Sequence, residues 1–161
     1  MSMIEEEIVE AVERTIEGAE AAVQRKGRLV AAVPKAGAVA ALILLKARGF
    51  EHLSAISCTD WLEQGEFELV YHLWSYRDKI HFTLKTRLPR ENTQTVTSMP
   101  VFQHAQTYER EIHEMYGVHF EGNPRLTPFL LDHWQGPPPM RRDFDTRGYV
   151  KEKFEVEERT S

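Results

Sequence analysis

The sequence predicts an α+β fold: a small, mostly antiparallel sheet packed with two or three helices, followed by an irregular, extended C-terminal segment. Three observations predict it. Apolar residues recur at helical spacing near the start and again before Gly117, Ile80 to Leu88 alternates strictly between apolar and polar, and after Gly117 glycine and proline break every regular pattern although large apolar side chains persist. The chain therefore divides at residues 1–117 and 118–161.

Ile4, Ile8, Val12, Ile16, Ala19 and Val23 share one helical face, with seven glutamates between Glu5 and Glu20 on the others, and Gly27 suits a C-terminal stop. Residues 28–33 then read as a short buried strand ending at Pro34. From Ala36 to Arg48 the residues are apolar nearly all round, which predicts a second, largely buried helix closed by Gly49. Strands follow at 53–58, 67–75 and 80–88, an antiparallel meander with turns near Gln64-Gly65 and Asp78. On the last of these, His81, Thr83, Lys85 and Arg87 form a polar face that is a candidate contact surface. Residues 91–95 are polar loop, and Ser98 and Pro100 announce a third helix whose stripe is Phe102, Ala105, Tyr108, Ile112 and Met115, stopped by Gly117. Beyond it, Phe120, Phe129, Leu130, Leu131, Trp134 and Phe144 are too apolar for a solvated tail. The stretch from Glu152 to Glu158 is expected to fray.

Composition removes whole classes of function. The 161 residues are 42% hydrophobic and 28% charged, as in one ordinary globular domain. The longest apolar run, Ala36 to Leu45, is about half of what a membrane span requires. The acidic first residues do not resemble a signal peptide, so the protein is expected in the cytoplasm or on its face. One cysteine, Cys58, supports neither an internal disulfide nor a thiolate-held cluster. A net charge of −5 argues against a broad nucleic-acid footprint.

No catalytic or metal constellation emerges. His113-Glu114 lacks a second histidine one turn on, so the zinc-protease pair is missing, and the seven histidines show no ligand spacing. Glu109, Arg110, Glu111 and Glu114 could be imagined as acid/base groups, even as a hydrolase using Glu111 and His113. Glu109 with His113 and Arg110 with Glu114 are i,i+4 neighbours, however, a spacing that steadies a helix or presents a charged interface. A compact body with an apolar, proline-broken extension fits a chain that docks on a larger partner. The candidate partner-binding residues are Glu109, Arg110, Glu111, Phe129, Leu130, Leu131, Trp134, Arg141, Arg142, Asp143 and Phe144.

From Tyr108-Glu109-Arg110-Glu111 through Gly117-Val118-His119-Phe120-Glu121-Gly122-Asn123-Pro124 the sequence closely resembles the signature of the C subunit of respiratory complex I, NADH:quinone oxidoreductase. The similarity resumes at Leu130-Leu131, Trp134, Gly136 and Arg141-Arg142-Asp143-Phe144, while the part before Tyr108 matches in layout more than in letters. Two departures stand out: Asn123 sits where the family usually has His between Gly and Pro, and the interval from Gly136 to Arg141 is one residue longer.

The resemblance implies a peripheral-arm subunit without a redox centre of its own, packed against a hydrogenase-like large subunit and near a small iron–sulfur subunit. The iron–sulfur clusters and other redox centres would then lie in those partners. Its place would be the cytoplasmic face of the cell membrane, within a membrane complex that translocates ions. Similar subunits also occur in membrane hydrogenases and in archaeal enzymes that oxidise a reduced deazaflavin or ferredoxin, and a short unfused chain suits any of these. An alternative is a free-standing adaptor that binds an unrelated protein through the same extension.

Overall fold

The computed structural model describes residues 3–154. Helix α1 (Met3–Thr15) leads into strands β1 (Glu20–Arg25) and β2 (Arg28–Val33), then α2 (Ala38–Ala47), β3 (His52–Trp61), β4 (Glu66–Ser75) and β5 (Ile80–Pro89). A short strand β6 (Gln94–Val96), helix α3 (Ala105–Tyr116), strand β7 (His119–Glu121) and helix α4 (Thr146–Phe154) complete the order. The five-stranded sheet runs β1-β2-β5-β4-β3, antiparallel except where β2 lies parallel to β5. The expected α+β architecture and its β3-β4-β5 meander are present.

The first helix is shorter than its periodicity predicts. Gly18 has φ +75°, a left-handed conformation that stops the helix, and Ala19, Ala21 and Val23 instead pack on the core from a hairpin. The helical spacing of Ala19 and Val23 is a coincidence of short range; β1 pairs antiparallel with β2, with Glu20 opposite Ala32 and Val23 opposite Leu29, and the register shifts between Val23 and Arg25. Gly27 is consequently the hairpin turn and not a helix stop, and its N–H donates to buried Glu5 at 2.6 Å. Helix α2 buries Ala38, Ala41, Leu42 and Leu45, but Ile43 is exposed, so only one side of this apolar helix belongs to the core.

The core lies on one face of the sheet. There α1, α2 and α3 cover Leu29, Ala31, Phe67, Leu69, Tyr71, Phe82 and Leu84. The polar face predicted for β5 is real: Arg87 pairs with Glu66 at 2.8 Å and Glu68 at 3.4 Å, and the rings of His72 and His81 are 5.7 Å apart. Burial first, then Lys85 for His72 and His72 with Arg28 for His81, lower both imidazoles below their ordinary range. At the sheet edge, His104 donates to Leu53 O at 2.8 Å and Tyr108 to Ser54 O at 2.9 Å, so two side chains occupy carbonyls of β3.

Three further differences concern the second half. Helix α3 starts at Ala105, not near Pro100, because the Ser98 hydroxyl is committed elsewhere and residues 98–104 form turns. Strand β6 falls partly in the expected loop and pairs in parallel with β7, a long-range contact. Val118 and Phe120 are fully buried in the same core, so the body's packing continues past residue 117. The frayed end expected at residues 152–158 is helical up to Phe154, and its remainder lies outside the described residues.

Candidate functional site

The site grows from α3, because that helix both holds the body together and grips the segment that follows. Glu109 faces inward with no exposed surface. Its carboxylate accepts from Thr97 Oγ1 at 2.6 Å, from Ser98 N and Oγ at 2.7 Å each, and from Asn123 Nδ2 at 2.9 Å. A buried carboxylate is tolerated only when its lone pairs are filled in this way. Asn123, the departure noted in the sequence, thus serves as an interior donor at the root of the C-terminal segment. The assignment of Glu109 to a partner surface is corrected: the i,i+4 spacing to His113 suggested a surface pair, but the amphipathic stripe turns Glu109 to the core, and His113 bonds Val118 O at 2.8 Å instead.

Arg110 and Glu114 do lie on the outer side of α3, and both bond backbone of the segment rather than forming a simple pair. Arg110 donates Nε to Thr127 O at 2.8 Å and Nη2 to Pro128 O, with its guanidinium 4.8 Å from the Phe129 ring centre. Glu114 accepts the N–H groups of Phe129, Leu130 and Leu131 at 3.0, 2.7 and 3.1 Å. Burial alone would raise the Glu114 carboxyl, but these three bonds and Arg110 outweigh it and hold the group below the usual carboxylate range. Gly117, at φ +78°, ends α3 and leaves room for Arg141 Nη2, which a Cβ there would meet at 2.8 Å.

A second attachment involves residues on the sheet that the sequence reading did not single out. Asp60, near the end of β3, lies 3.0 Å from Arg90 Nε and accepts Arg142 N at 2.9 Å. Arg90 continues to both carboxylate oxygens of Asp143, at 2.7 and 3.1 Å, and that contact is the main cause holding Asp143 below its ordinary range. Arg141 donates to Tyr116 O at 2.7 Å, and Arg90 and Arg141 both lie about 5 Å from the Phe67 ring centre. A buried acid in a strand is the one signal that could have pointed to Asp60, and it cannot be read without knowing what packs above it.

Trp134 and Phe144, two of the candidate partner-binding residues, pack on each other and on Tyr149 of α4, with ring centres 4.9 to 6.2 Å apart. That cluster depends on α4, a helix the sequence reading did not anticipate even though Asp145 sits at its start, bonding Gly148 N at 3.0 Å. Glu111, Phe129, Leu130 and the Arg142 side chain remain on the surface, and Leu131 is half-buried. Between the two attachments a cleft of about 610 Å³ separates α3 from the segment, lined in part by His113, Leu126, Leu131 and Trp134.

Among the described residues, no group of three or more His, Cys, Asp or Glu side chains converges as a metal cradle. Cys58 is half-buried, and burial first, then Asp60, pushes its thiol up to about 12. No described helix is long and apolar enough to cross a membrane.

Comparison with known proteins bears on this arrangement. The family described as "Respiratory-chain NADH dehydrogenase, 30 Kd subunit" matches residues 31–150. The C subunit of the F(420)H(2) dehydrogenase of Methanosarcina mazei is 38% identical over 60% of this chain and 61% of its own length. The C subunit of the NADH-quinone oxidoreductase of Brucella abortus is 34% identical over 81% of this chain and 66% of its own length. The aligned region thus spans just under two thirds of those relatives. A chain in the structure of the membrane-bound sulfane sulfur reductase, an archaeal respiratory membrane complex, superposes with a TM-score of 0.87 at 36% identity, covering 97% of this chain and 94% of that one. The trypsin-resistant fragment (1-134) of Nqo5 gives 0.65 at 26% identity, covering 76% of this chain and 99% of that one. The segment from Tyr108 to Phe144 that carried the resemblance lies inside the matched residues, and the chain belongs to the family of the 30 kDa subunit of the respiratory-chain NADH dehydrogenase.

Proposed function

We propose that this chain is a non-catalytic, cofactor-free subunit of a complex I-like, ion-translocating membrane oxidoreductase. In this reading it sits at the cytoplasmic face of the membrane and scaffolds a hydrogenase-like large subunit and a small iron–sulfur subunit. The observation that carries the reading is the near-complete superposition, C-terminal segment included, on a chain of an archaeal respiratory membrane complex. The relatives named as subunits of multi-subunit dehydrogenases favour this over a free-standing adaptor.

Residues 118–161 are the docking part in this proposal. Their described portion keeps Phe129, Leu130 and Met140 exposed although it is tied to the body, and large exposed apolar groups in an ordered segment suit a protein interface.

Scaffolding has a physical rationale: small displacements of catalytic groups cost much rate, so a subunit without redox chemistry still affects turnover by holding its neighbours' geometry. The test is affinity purification of the tagged chain from detergent-solubilised native membranes. Recovery with a hydrogenase-like large subunit and an iron–sulfur small subunit is expected, and recovery alone or with an unrelated protein overturns the reading. Metal analysis and a visible spectrum of the isolated chain are expected to be blank; stoichiometric iron or zinc surviving a chelator contradicts the cofactor-free assignment.

A further inference from the structure

We infer that the helix-free face of the sheet, around Arg28, His72, His81 and Lys85, is the docking surface for an acidic segment of a partner subunit. The inference lies apart from the C-terminal attachments described above, and it rests on the proposal that this chain works within a complex. Strand pairing sets the four residues side by side on one face. Arg28 of β2 is opposite His81 of β5, Thr83 of β5 is opposite His72 of β4, and Lys85 is the next residue of β5 on that side. The two imidazole rings are 5.7 Å apart. Helices α1 to α3 cover the opposite face, and Ala22, Ala32 and Ser57 around the group are exposed. Arg25 and Lys26, also exposed, carry the positive charge on to the turn between β1 and β2 beside Arg28.

A chain whose net charge is −5 thus gathers cations here, and its own carboxylates do not answer them. None of the ion pairs among the described residues includes Arg28, His72 or His81. The acids of this face stand elsewhere: Glu66 and Glu68 of β4 hold Arg87, Glu68 reaches Lys85 only at 3.9 Å, and Glu20 of β1 is separated from Lys85 by β2, while β3 presents the hydroxyls of Ser57 and Thr59. After burial, the causes that lower the two imidazoles are cationic, Lys85 on His72 and then His72 and Arg28 on His81. Each ring spends one nitrogen on a hydroxyl, His72 Nε2 at 3.2 Å from Ser57 Oγ and His81 Nδ1 at 3.4 Å from Thr83 Oγ1, and keeps the other for a ligand. Like charges held together by a fold repel until an oppositely charged surface meets them, and that complementarity selects the partner. Carboxylate side chains fit because they accept from guanidinium, ammonium and imidazolium alike, and the small residues between the cations let a backbone approach. A bilayer presents its phosphates to protruding side chains, whereas these imidazoles are half-buried and need groups that reach down to them.

The sign of a titration shift tests this. Deuterium exchange at the imidazole C2 positions, read by mass spectrometry as a function of pH, gives the midpoints of His72 and His81 in the isolated chain and in the complex recovered with the tagged chain from detergent-solubilised native membranes. Carboxylates placed against the rings should raise both midpoints by about one pH unit or more, a tenfold gain in proton affinity. An apolar cover would lower them further, so midpoints unchanged or lowered in the complex overturn the inference. The Arg28→Glu, Lys85→Glu double variant should reduce recovery of the partner about tenfold, with the Ser98 amide, bonded to buried Glu109, exchanging as slowly as before to show an intact body. Full recovery of that variant overturns the inference, and so does a rise of both midpoints when the isolated chain is mixed with phosphatidylserine vesicles, which would assign the face to lipid. Recovery of hydrogenase-like and iron–sulfur subunits with midpoints unmoved overturns the acidic docking alone; an unrelated protein with raised midpoints overturns the scaffold reading alone; a chain recovered by itself overturns both.

Discussion

Asp60 and Arg90 meet as a nearly dry ion pair beneath the C-terminal segment, Oδ1 to Nε 3.0 Å, with side chains 1% and 14% exposed. The same carboxylate accepts Arg142 N, and the same guanidinium reaches Asp143, so one pair joins β3, the residue after β5 and the extension. Asp60→Ala strands a largely buried cation, and we expect it to lower unfolding free energy by about 3 kcal/mol. Asp143→Ala removes a half-exposed partner and should cost less than about 1 kcal/mol. Urea denaturation of the two variants separates them; equal losses would mean that the pair is not the anchor.

Glu109→Ala leaves the Thr97, Ser98 and Asn123 donors without their buried acceptor, and a loss of roughly 3 kcal/mol or more is expected. Glu111, exposed on the same helix, should change stability by no more than about 0.5 kcal/mol when replaced by Ala. Thermal melts of both chains check the contrast, which reverses if Glu109 is the surface residue.

Arg110→Glu sets a carboxylate against Glu114 and against the two carbonyls that Arg110 serves. It should loosen the 127–131 loop and reduce assembly of the complex, whereas Glu111→Gln should assemble and leave turnover of the whole enzyme nearly intact. A fully assembled Glu111→Gln complex without activity would show that proton chemistry had been overlooked in this chain.

Acid should destabilise the protein in two stages. His72 and His81 are lowered in the folded state, so the unfolded chain binds protons first and stability falls once pH drops below about 6.5. Glu114 and Asp143 are also lowered, so their contribution is complete above the ordinary carboxylate range near 4 and disappears as pH falls through their folded values. Urea midpoints measured from pH 8 to 3 should show both stages, and the His72→Gln, His81→Gln double variant should flatten the first alone.

The Cys58 thiol, pushed up to about 12 by burial and Asp60, should resist alkylation at pH 8 in the native chain and react readily in denaturant. A mass-spectrometric time course with iodoacetamide distinguishes this from a reactive thiol, which would be modified at equal rates in both conditions.

Elements whose signal is local and periodic were legible in the order of residues alone. Ile80 to Leu88 alternates because one sheet face is buried, the stripe before Gly117 repeats because α3 packs along one side, and Gly117 stops that helix because it alone adopts positive φ without strain. Local propensity also misled where two periods overlap: Ala19 and Val23 continue a helical spacing, yet Gly18 turns the chain and pairing with β2 makes a strand. What each charged residue does emerged only once the chain was folded. Asp60 and Arg90 are 30 positions apart, and Glu109 differs from Glu111 by the face it occupies once residues 97–98 and Asn123 close around it. A carboxylate's role is set by which donors reach it and whether water can. Those are properties of distant chain segments brought together, which no spacing within one segment records.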